Sequence, residues 1–210
     1  GGGQAGDSGS LRHQDSIIAI YDTNRPIGDL IVHHGEVLTG TIQIGEKVAT
    51  EVDQTVRHAT ACNHTATHLL HAALREVLGT HIRQAGSLVT NERLRFDYTA
   101  DAATSGSHLS EIEELVNQKI RENLLVRKHE TSYGNAIEEG ALAFFGDRYG
   151  DRVRVVEIAN DTKFSVEVCG GTHLNLTGAI GSLVITNDTN IGSGFRRIEA
   201  VTGMTATKLI

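Results

Sequence analysis

The stretch 63–74 reads NHTATHLLHAAL, and it most constrains how this chain can fold. Apolar residues recur at helical spacing from residue 69 to residue 78, which predicts a helix over about 60–78 with one buried face. His64, His68 and His71 are four and three residues apart, so they share a different face. Gly79 follows the last periodic residue and predicts the end of the helix. The pattern therefore predicts a helix that packs on one side and gathers imidazoles on another.

The composition is that of an ordinary globular chain. Its 210 residues are 39% apolar and 21% charged, which is enough for one good core or two modest ones. No apolar run approaches the roughly 18 residues of a membrane-spanning helix, so we expect no membrane partner. The formal net charge of −7 argues against broad gripping of nucleic acid, which normally needs a basic surface. A nucleic-acid partner would have to be held locally, or by another part of a larger chain.

The cysteine and methionine content indicates the cellular compartment of the chain and whether it is part of a longer protein. Two cysteines, Cys62 and Cys169, argue against a disulfide framework. Free thiols and 11 histidines suit a reducing cytoplasm and a metal site. The N-terminus has neither the basic nor the apolar region of a signal peptide. Because Met204 is the only methionine and the chain begins in a glycine cluster, we expect a cytoplasmic piece of a longer protein.

The pattern of elements predicts an α+β fold in two parts. Residues 1–57 contain closely spaced strand-like runs with glycine turns, which predict the C-terminal part of a small β-barrel. In residues 58–210 the helical patterns come early and the alternating strand patterns come late. This order favours an antiparallel sheet packed with helices over a parallel doubly wound sheet. We therefore place a domain boundary between residues 57 and 58.

A second chemically distinctive stretch is CGGTH at 169–173, directly after a predicted strand. Glycines let the backbone bend tightly between the thiolate of Cys169 and the imidazole of His173. Together with His64 and His68 they form a His₂-Cys-His set that suits zinc. Residue 65 is threonine, so the helix lacks the glutamate base of an HExxH protease. Four protein ligands normally close a structural zinc site, whereas a catalytic zinc keeps one position open, so the residues alone leave both roles open.

The motifs HTATHLLH at 64–71 and CGGTH at 169–173 resemble the editing domain of alanyl-tRNA synthetases. The resemblance covers nearly the whole chain, because further blocks match in the right order. These blocks are residues 2–9, 84–89, 93–97, 144–151 and 194–203. Several long motifs in order are far more specific than the spacing of the ligands alone.

This resemblance implies a hydrolase that removes serine or glycine wrongly attached to tRNA for alanine. It implies Zn²⁺ held by the four residues named above, and a pocket that contains Gln84. Thr65, Gly170 and Thr172 are further candidates for positioning the amino acid, although a polar residue beside a ligand is usually a support for it. Expected partners are the acceptor end of the tRNA and the remainder of the synthetase chain. Nothing in the sequence resembles an ATP site, so the ligase active site is expected elsewhere.

Two further features are candidates for contact with nucleic acid. The glycine-rich start is not a P-loop, because no Lys-Ser/Thr pair follows it. It is either a structural loop or, at Gly3 and Gln4, a contact with the terminal adenosine. Arg196 and Arg197 alternate across a predicted strand, so only one of them can face a groove. Each is either a contact to a backbone phosphate or an ordinary solvated arginine.

Two other functions fit the same residues. A free-standing trans-editing protein of the same superfamily would share the chemistry. A zinc-stabilised RNA-binding module would share the ligands without being an enzyme. Threonyl-tRNA editing domains also share the pattern of four ligands, but the CGGTH motif and the other blocks favour the alanine type.

Overall fold

The computed structural model describes residues 3–100, 102–144 and 150–210. The chain divides into two compact units. One unit is Ala5–His58, and the other is Ala59–Ile210 together with the N-terminal residues through Gln4. Gln4 therefore belongs to the same unit as the histidine-rich helix, although it is far from that helix in sequence.

The unit Ala5–His58 is built on one antiparallel sheet. Its strands lie in the order β3-β2-β1-β4, and β1 pairs with both β2 and β4. The turn between β2 and β3 passes through Gly28 at a φ of 49°, a backbone conformation that favours glycine. The short strands and glycine turns that the sequence predicts are confirmed here. The strands are β1 (Gly9–His13), β2 (Ser16–Ile27), β3 (Leu30–Thr39) and β4 (Ala49–Val52).

The longest element is the helix α1 (Gln54–Leu78), which contains all three histidines of the predicted helix. It begins earlier than the apolar periodicity indicated. Oδ1 of Asp53 accepts hydrogen bonds from the backbone N–H groups of Thr55 at 2.9 Å and Val56 at 3.0 Å. A carboxylate that satisfies two otherwise unpaired N–H groups is a strong helix start. Asp53 therefore fixes the first turn, and the apolar face begins later.

Within the described ranges, the second unit continues with two antiparallel sheets and three shorter helices. One sheet has the strand order β10-β11-β6-β5 and the other has the order β7-β8-β9. The prediction of an antiparallel α+β fold is therefore confirmed. The elements are β5 (Gln84–Val89), β6 (Leu94–Thr99), α2 (Gly106–Arg121), β7 (Leu125–Ser132), α3 (Tyr133–Glu138), β8 (Arg152–Ala159), β9 (Lys163–Val168), a 3-10 turn (Thr177–Ile180), β10 (Leu183–Gly192), β11 (Phe195–Thr202) and α4 (Gly203–Thr207).

The main core of this unit surrounds α1. Leu69, Leu70 and Leu74 are fully buried and pack in one cluster with residues from both sheets, among them Phe96 and Ile158. Burying a leucine side chain stabilises a fold by about 1.5–3 kcal/mol. The histidine face of the same helix is buried as well, since His64, His68 and His71 are all at most 5% exposed. A helix that buries both faces needs polar partners for its imidazoles.

Cys62 and Cys169 are both free thiols. Among the helices of the described ranges, none is long and apolar enough to cross a membrane.

Candidate metal centre

Four side chains that are distant in sequence meet at one point. His64 and His68 lie on successive turns of α1, Cys169 follows β9 directly, and His173 lies in the turn after it. One potential ligand atom from each residue lies within 4.8 Å of the others. Sγ of Cys169 is 3.4 Å from Nε2 of His64 and 3.3 Å from Nε2 of His173. The arrangement could hold a metal ion that prefers nitrogen and sulfur ligands.

The far side of each imidazole is fixed by a polar partner. Nδ1 of His64 lies 2.8 Å from Oε1 of Gln4, and Nδ1 of His68 lies 2.8 Å from Oε2 of Glu167. Nδ1 of His173 is 3.4 Å from the hydroxyl oxygen of Thr65. When Nδ1 donates a hydrogen bond, Nε2 is left with a free lone pair. Nε2 of each histidine can then bind a single ion, which displaces any proton that Nε2 carries.

One atom of this set tests directly whether a metal fits. Nε2 of His68 is buried and makes no hydrogen bond within the described residues, and its Nδ1 lies 2.8 Å from Oε2 of Glu167 without hydrogen-bond geometry. An unpaired polar atom inside a protein costs about 1–3 kcal/mol. A metal ion at the centre of the cluster would satisfy it. A bound metal ion would therefore satisfy the polar atoms of the four residues better than their contacts with one another do.

The charges of the cluster favour metal binding too. Burial alone would raise the pKa of the Cys169 thiol, but hydrogen bonds with His173 and His64 and the charge of His68 lower it to about 2. Burial and the nearby charges of His68 and His64 outweigh the thiolate contact and lower the pKa of His173 to about 3. Cys169 is therefore a thiolate and His173 a neutral imidazole, which are the protonation states that bind metals.

Glu167 is a site residue that the sequence did not reveal. Its carboxylate is 4% exposed and lies between two histidines, with Oε1 2.8 Å from Nδ1 of His71. Burial would raise the pKa of Glu167, but the charges and hydrogen bonds of His68 and His71 lower it. Burial would likewise lower the pKa of His68, but Glu167 raises it to about 10. Glu167 is thus an ionised carboxylate that orients one ligand.

His71 completes this support without joining the ligand cluster. It is fully buried, and its ring lies 5.1 Å from that of Phe96 and 5.0 Å from that of Phe144. The hydroxyl of Ser165 donates to the same carboxylate oxygen that His71 contacts, at 3.3 Å. The sequence assigned no partner to His71. In the structure His71 contacts Glu167, and Glu167 in turn contacts His68.

The CGGTH turn is held in place from several sides. The Nε–H of Arg154 donates to the carbonyl of Cys169 at 3.0 Å, and its Nη2 donates to the carbonyl of Gly171. A side chain on Gly171 would overlap the ring of His64, whereas one on Gly170 would meet nothing within 4 Å. The two glycines therefore have different tasks, because only residue 171 must be small for His64 to approach.

The other predicted site residues fall into two groups. Thr65 and Thr172 lie at the cluster. The hydroxyl of Thr65 accepts from the N–H of Leu174 at 3.1 Å, and Thr172 donates its N–H to Oε1 of Gln4 at 2.7 Å. Gln84 begins β5 opposite the buried Tyr98, so both side chains project from the same face of the sheet. That face also carries Phe96, which contacts His71.

The residues predicted to contact nucleic acid have protein partners in the structure. Gly3 accepts a hydrogen bond from the N–H of Val89 at 2.9 Å, and Gln4 braces His64 and Thr172. The guanidinium groups of two strand residues pair with carboxylates at 2.7 Å, Arg196 with Asp188 and Arg197 with Asp97. Of the sequence block 144–151, residues 145–149 lie outside the described ranges.

Sequence comparisons agree with this picture. Residues 153–199, which include Cys169 and His173, match the family model described as the threonyl and alanyl tRNA synthetase second additional domain. The chain is 48% identical to an alanine–tRNA ligase from Acidithiobacillus ferridurans over 209 residues. It is 49% identical to that of Desulforamulus reducens and 47% identical to that of Carboxydothermus hydrogenoformans.

These matches cover the whole of this chain but 24% of each of the three relatives. The chain thus spans about a quarter of the length of the curated relatives it matches. The chain is therefore similar over its whole length to a segment of alanine–tRNA ligases, and its residues 153–199 match the second additional domain of threonyl and alanyl tRNA synthetases.

Proposed function

We propose that this chain hydrolyses the ester of serine or glycine wrongly attached to tRNA for alanine. The observation that carries the proposal is the buried cluster of three imidazoles and one thiolate, in a chain similar throughout to alanine–tRNA ligases. Its partners are then the acceptor end of that tRNA and the remainder of a synthetase. The ligase reaction itself is not assigned to these residues.

The four clustered residues would hold Zn²⁺. Thiolate and imidazole ligands suit this ion, and His64, His68, Cys169 and His173 would supply four of them. When bound, the ion supplies a positive charge at the junction of α1 and the turn 169–173. The chain's own residues then bind and orient the substrate.

Three residues are proposed to position the amino acid at this junction. The hydroxyl groups of Thr65 and Thr172 lie beside the ligands, where they can hydrogen-bond an amino or hydroxyl group. At Gly170 there is open space where a side chain would stand, so a substrate can approach the backbone closely. Hydrolysis of an ester needs an aimed water and donors for the developing oxyanion. The backbone near Gly170 is our candidate for those donors.

Gln84 is proposed as a further polar residue of the pocket. It is half-buried and lies on the sheet face that carries Phe96, whose ring contacts His71. A side-chain amide both donates and accepts hydrogen bonds, so it can bind the amino group or orient a water. Its effect would be on the rate of hydrolysis and not on metal binding.

A hydrolytic site of this kind has a clear physical use. An activation pocket that fits alanine discriminates weakly against glycine and serine, because single small groups contribute little binding energy. A second site that hydrolyses the wrong products multiplies the discrimination. The two hydroxyl groups beside the cluster give such a site a means to recognise serine.

The proposal is tested by a deacylation assay on tRNA for alanine charged with serine, glycine or alanine. Zinc content and folding are measured on the same sample. We expect release of serine and glycine, with the alanyl ester spared. Binding of the tRNA without hydrolysis, in folded protein that carries zinc, would instead identify a zinc-stabilised RNA-binding module.

A further inference from the structure

An acidic chain that binds RNA needs a local site for phosphate. The net charge is −7, and the two arginines that the sequence favours for this role are paired with carboxylates. Phosphate contacts normally require cations that are not already neutralised. Such cations lie on the sheet β7-β8-β9, beside the turn that carries two metal ligands.

Lys128 and Arg154 share one face of that sheet. Val156 of β8 lies opposite Lys128 of β7 on one side and opposite Glu167 of β9 on the other. Residues directly opposite in an antiparallel pair project to the same face, and residue 154 is on the same face as residue 156. Both cations therefore project from the face that carries Glu167, which supports the metal ligand His68.

Both head groups reach the segment 169–175. Nζ of Lys128 donates to the carbonyl of Leu174 at 2.8 Å and to Oδ1 of Asn175 at 2.7 Å. Arg154 binds the carbonyls of Cys169 and Gly171, as described above. The two cations thus contact opposite ends of the segment that contains two of the metal ligands.

These contacts use only some of the N–H donors of Lys128 and Arg154. An ammonium group has three N–H donors and a guanidinium group has five. Lys128 uses two donors and Arg154 uses two in hydrogen bonds within the described residues. The remaining donors can bind the oxygens of an anion. Arginine and lysine together are a common pair for phosphate, one as a planar fork and one as a point charge.

Neither cation has a carboxylate at ion-pair distance within the part of the chain that the structure describes. Glu130, which lies opposite Arg154 on β7, pairs instead with Arg152 at 3.5 Å. Burial and then the charge of Arg154 lower the pKa of Lys128, which shows that the two like charges act on each other. Two neighbouring cations without a counter-ion attract an anion.

We propose that Lys128 and Arg154 form a subsite for a backbone phosphate of the single-stranded 3′ end of RNA. The inference rests on the proposed function, because it places the end of the RNA beside the metal centre. A phosphodiester bound there would lead the terminal ester toward Thr172 and His173. The subsite explains how a chain of net negative charge can hold RNA at this one point.

The test is the salt dependence of RNA binding. It is measured with a labelled RNA hairpin that carries no amino acid and has a short single-stranded 3′ end. For one phosphate contact on a single strand, the slope of log K against log salt concentration changes by about 0.7. We expect Lys128→Gln to reduce the slope by this amount and Lys128→Arg to retain it. Arg154→Lys keeps the charge and loses the fork, so binding weakens while the slope stays close to wild type.

The matched control is Lys208→Gln, the same substitution at an exposed lysine after α4. It should leave the slope unchanged, and zinc content and melting temperature should match the wild type in the variants of Lys128 and Lys208. Arg154→Lys is judged on the slope alone, because Arg154 also holds the carbonyls of Cys169 and Gly171. An unchanged slope in Lys128→Gln would overturn the subsite. An equal loss on a hairpin without the overhang would also overturn it, since the contact would then be to duplex RNA. The RNA in this test carries no amino acid, so binding is measured independently of hydrolysis. A failure to hydrolyse aminoacylated tRNA would therefore refute the proposed function without deciding this test.

Discussion

Gln4 and His64 are 60 residues apart in the chain, and Oε1 of Gln4 lies 2.8 Å from Nδ1 of His64. The same oxygen accepts a hydrogen bond from the N–H of Thr172 at 2.7 Å. One amide therefore joins the N-terminal segment, the helix α1 and the CGGTH turn. Because it holds Nδ1 of His64, it also directs Nε2 of that residue toward Cys169. Gln4 is a positioning residue of the metal centre.

Gln4→Ala should weaken metal binding. The substitution leaves Nδ1 of His64 and the N–H of Thr172 without their shared acceptor, and loss of such a partner typically costs about 10–100-fold in metal affinity. Competition with a chromophoric chelator measures this loss. Gln43→Ala, at an exposed glutamine, is the control and should bind zinc like the wild type. Equal affinities in the two variants would remove Gln4 from the metal centre.

The two glycines of the turn should respond differently to the same added methyl group. Gly171→Ala places its side chain on the ring of His64, so we expect loss of bound zinc and a destabilisation of about 1–3 kcal/mol. Gly170→Ala has room and should keep both zinc and stability. Metal analysis and thermal unfolding of the pair check this. Normal zinc content in Gly171→Ala would contradict the close approach of His64 and the turn.

Glu167→Gln should weaken metal binding while keeping the shape of the side chain. The amide can still lie beside Nδ1 of His68, but it lacks the charge that makes that imidazole a better ligand. We expect zinc affinity to fall by about 10–100-fold. In the cobalt-substituted protein, the visible absorption of the metal should shift, which a change of stability alone does not cause. Glu138→Gln, at an exposed position of α3, should show neither change.

The Arg196–Asp188 pair separates a structural role from contact with RNA. Their side chains are 12% and 4% exposed, so Asp188→Asn removes the charge of a largely buried partner. We expect a loss of about 1–3 kcal/mol in the free energy of unfolding. The salt slope of RNA binding should not change. A steeper slope in Asp188→Asn would show that the released Arg196 reaches a phosphate, which is one of the two roles that the sequence leaves open.

The four residues of the candidate metal centre could be identified from the sequence because they occur in two short motifs of the right residue types. His64 and His68 are one helical turn apart, and Cys169 and His173 flank two glycines. Local spacing of this kind does not depend on how the rest of the chain folds. The structure brings all four together within 4.8 Å.

The supports of the ligands could not be named in this way. Glu167 lies on a strand that alternates apolar and polar residues, and the polar Ser165 and Glu167 are the more buried ones, because they face the histidines of α1. Gln4 becomes a site residue only through a contact 60 residues away in the chain. The first turn of α1 was missed because Asp53, and not the apolar periodicity, determines where the helix begins.

The most direct measurement is single-turnover hydrolysis of seryl-tRNA for alanine by the zinc-loaded protein in excess. Folding and zinc content are verified on the same sample, and Cys169→Ala is run in parallel. The proposed site predicts release of serine that is lost on chelation of the metal, restored by zinc and absent in Cys169→Ala. No release of serine above the spontaneous rate, in folded and fully zinc-loaded protein, would contradict it.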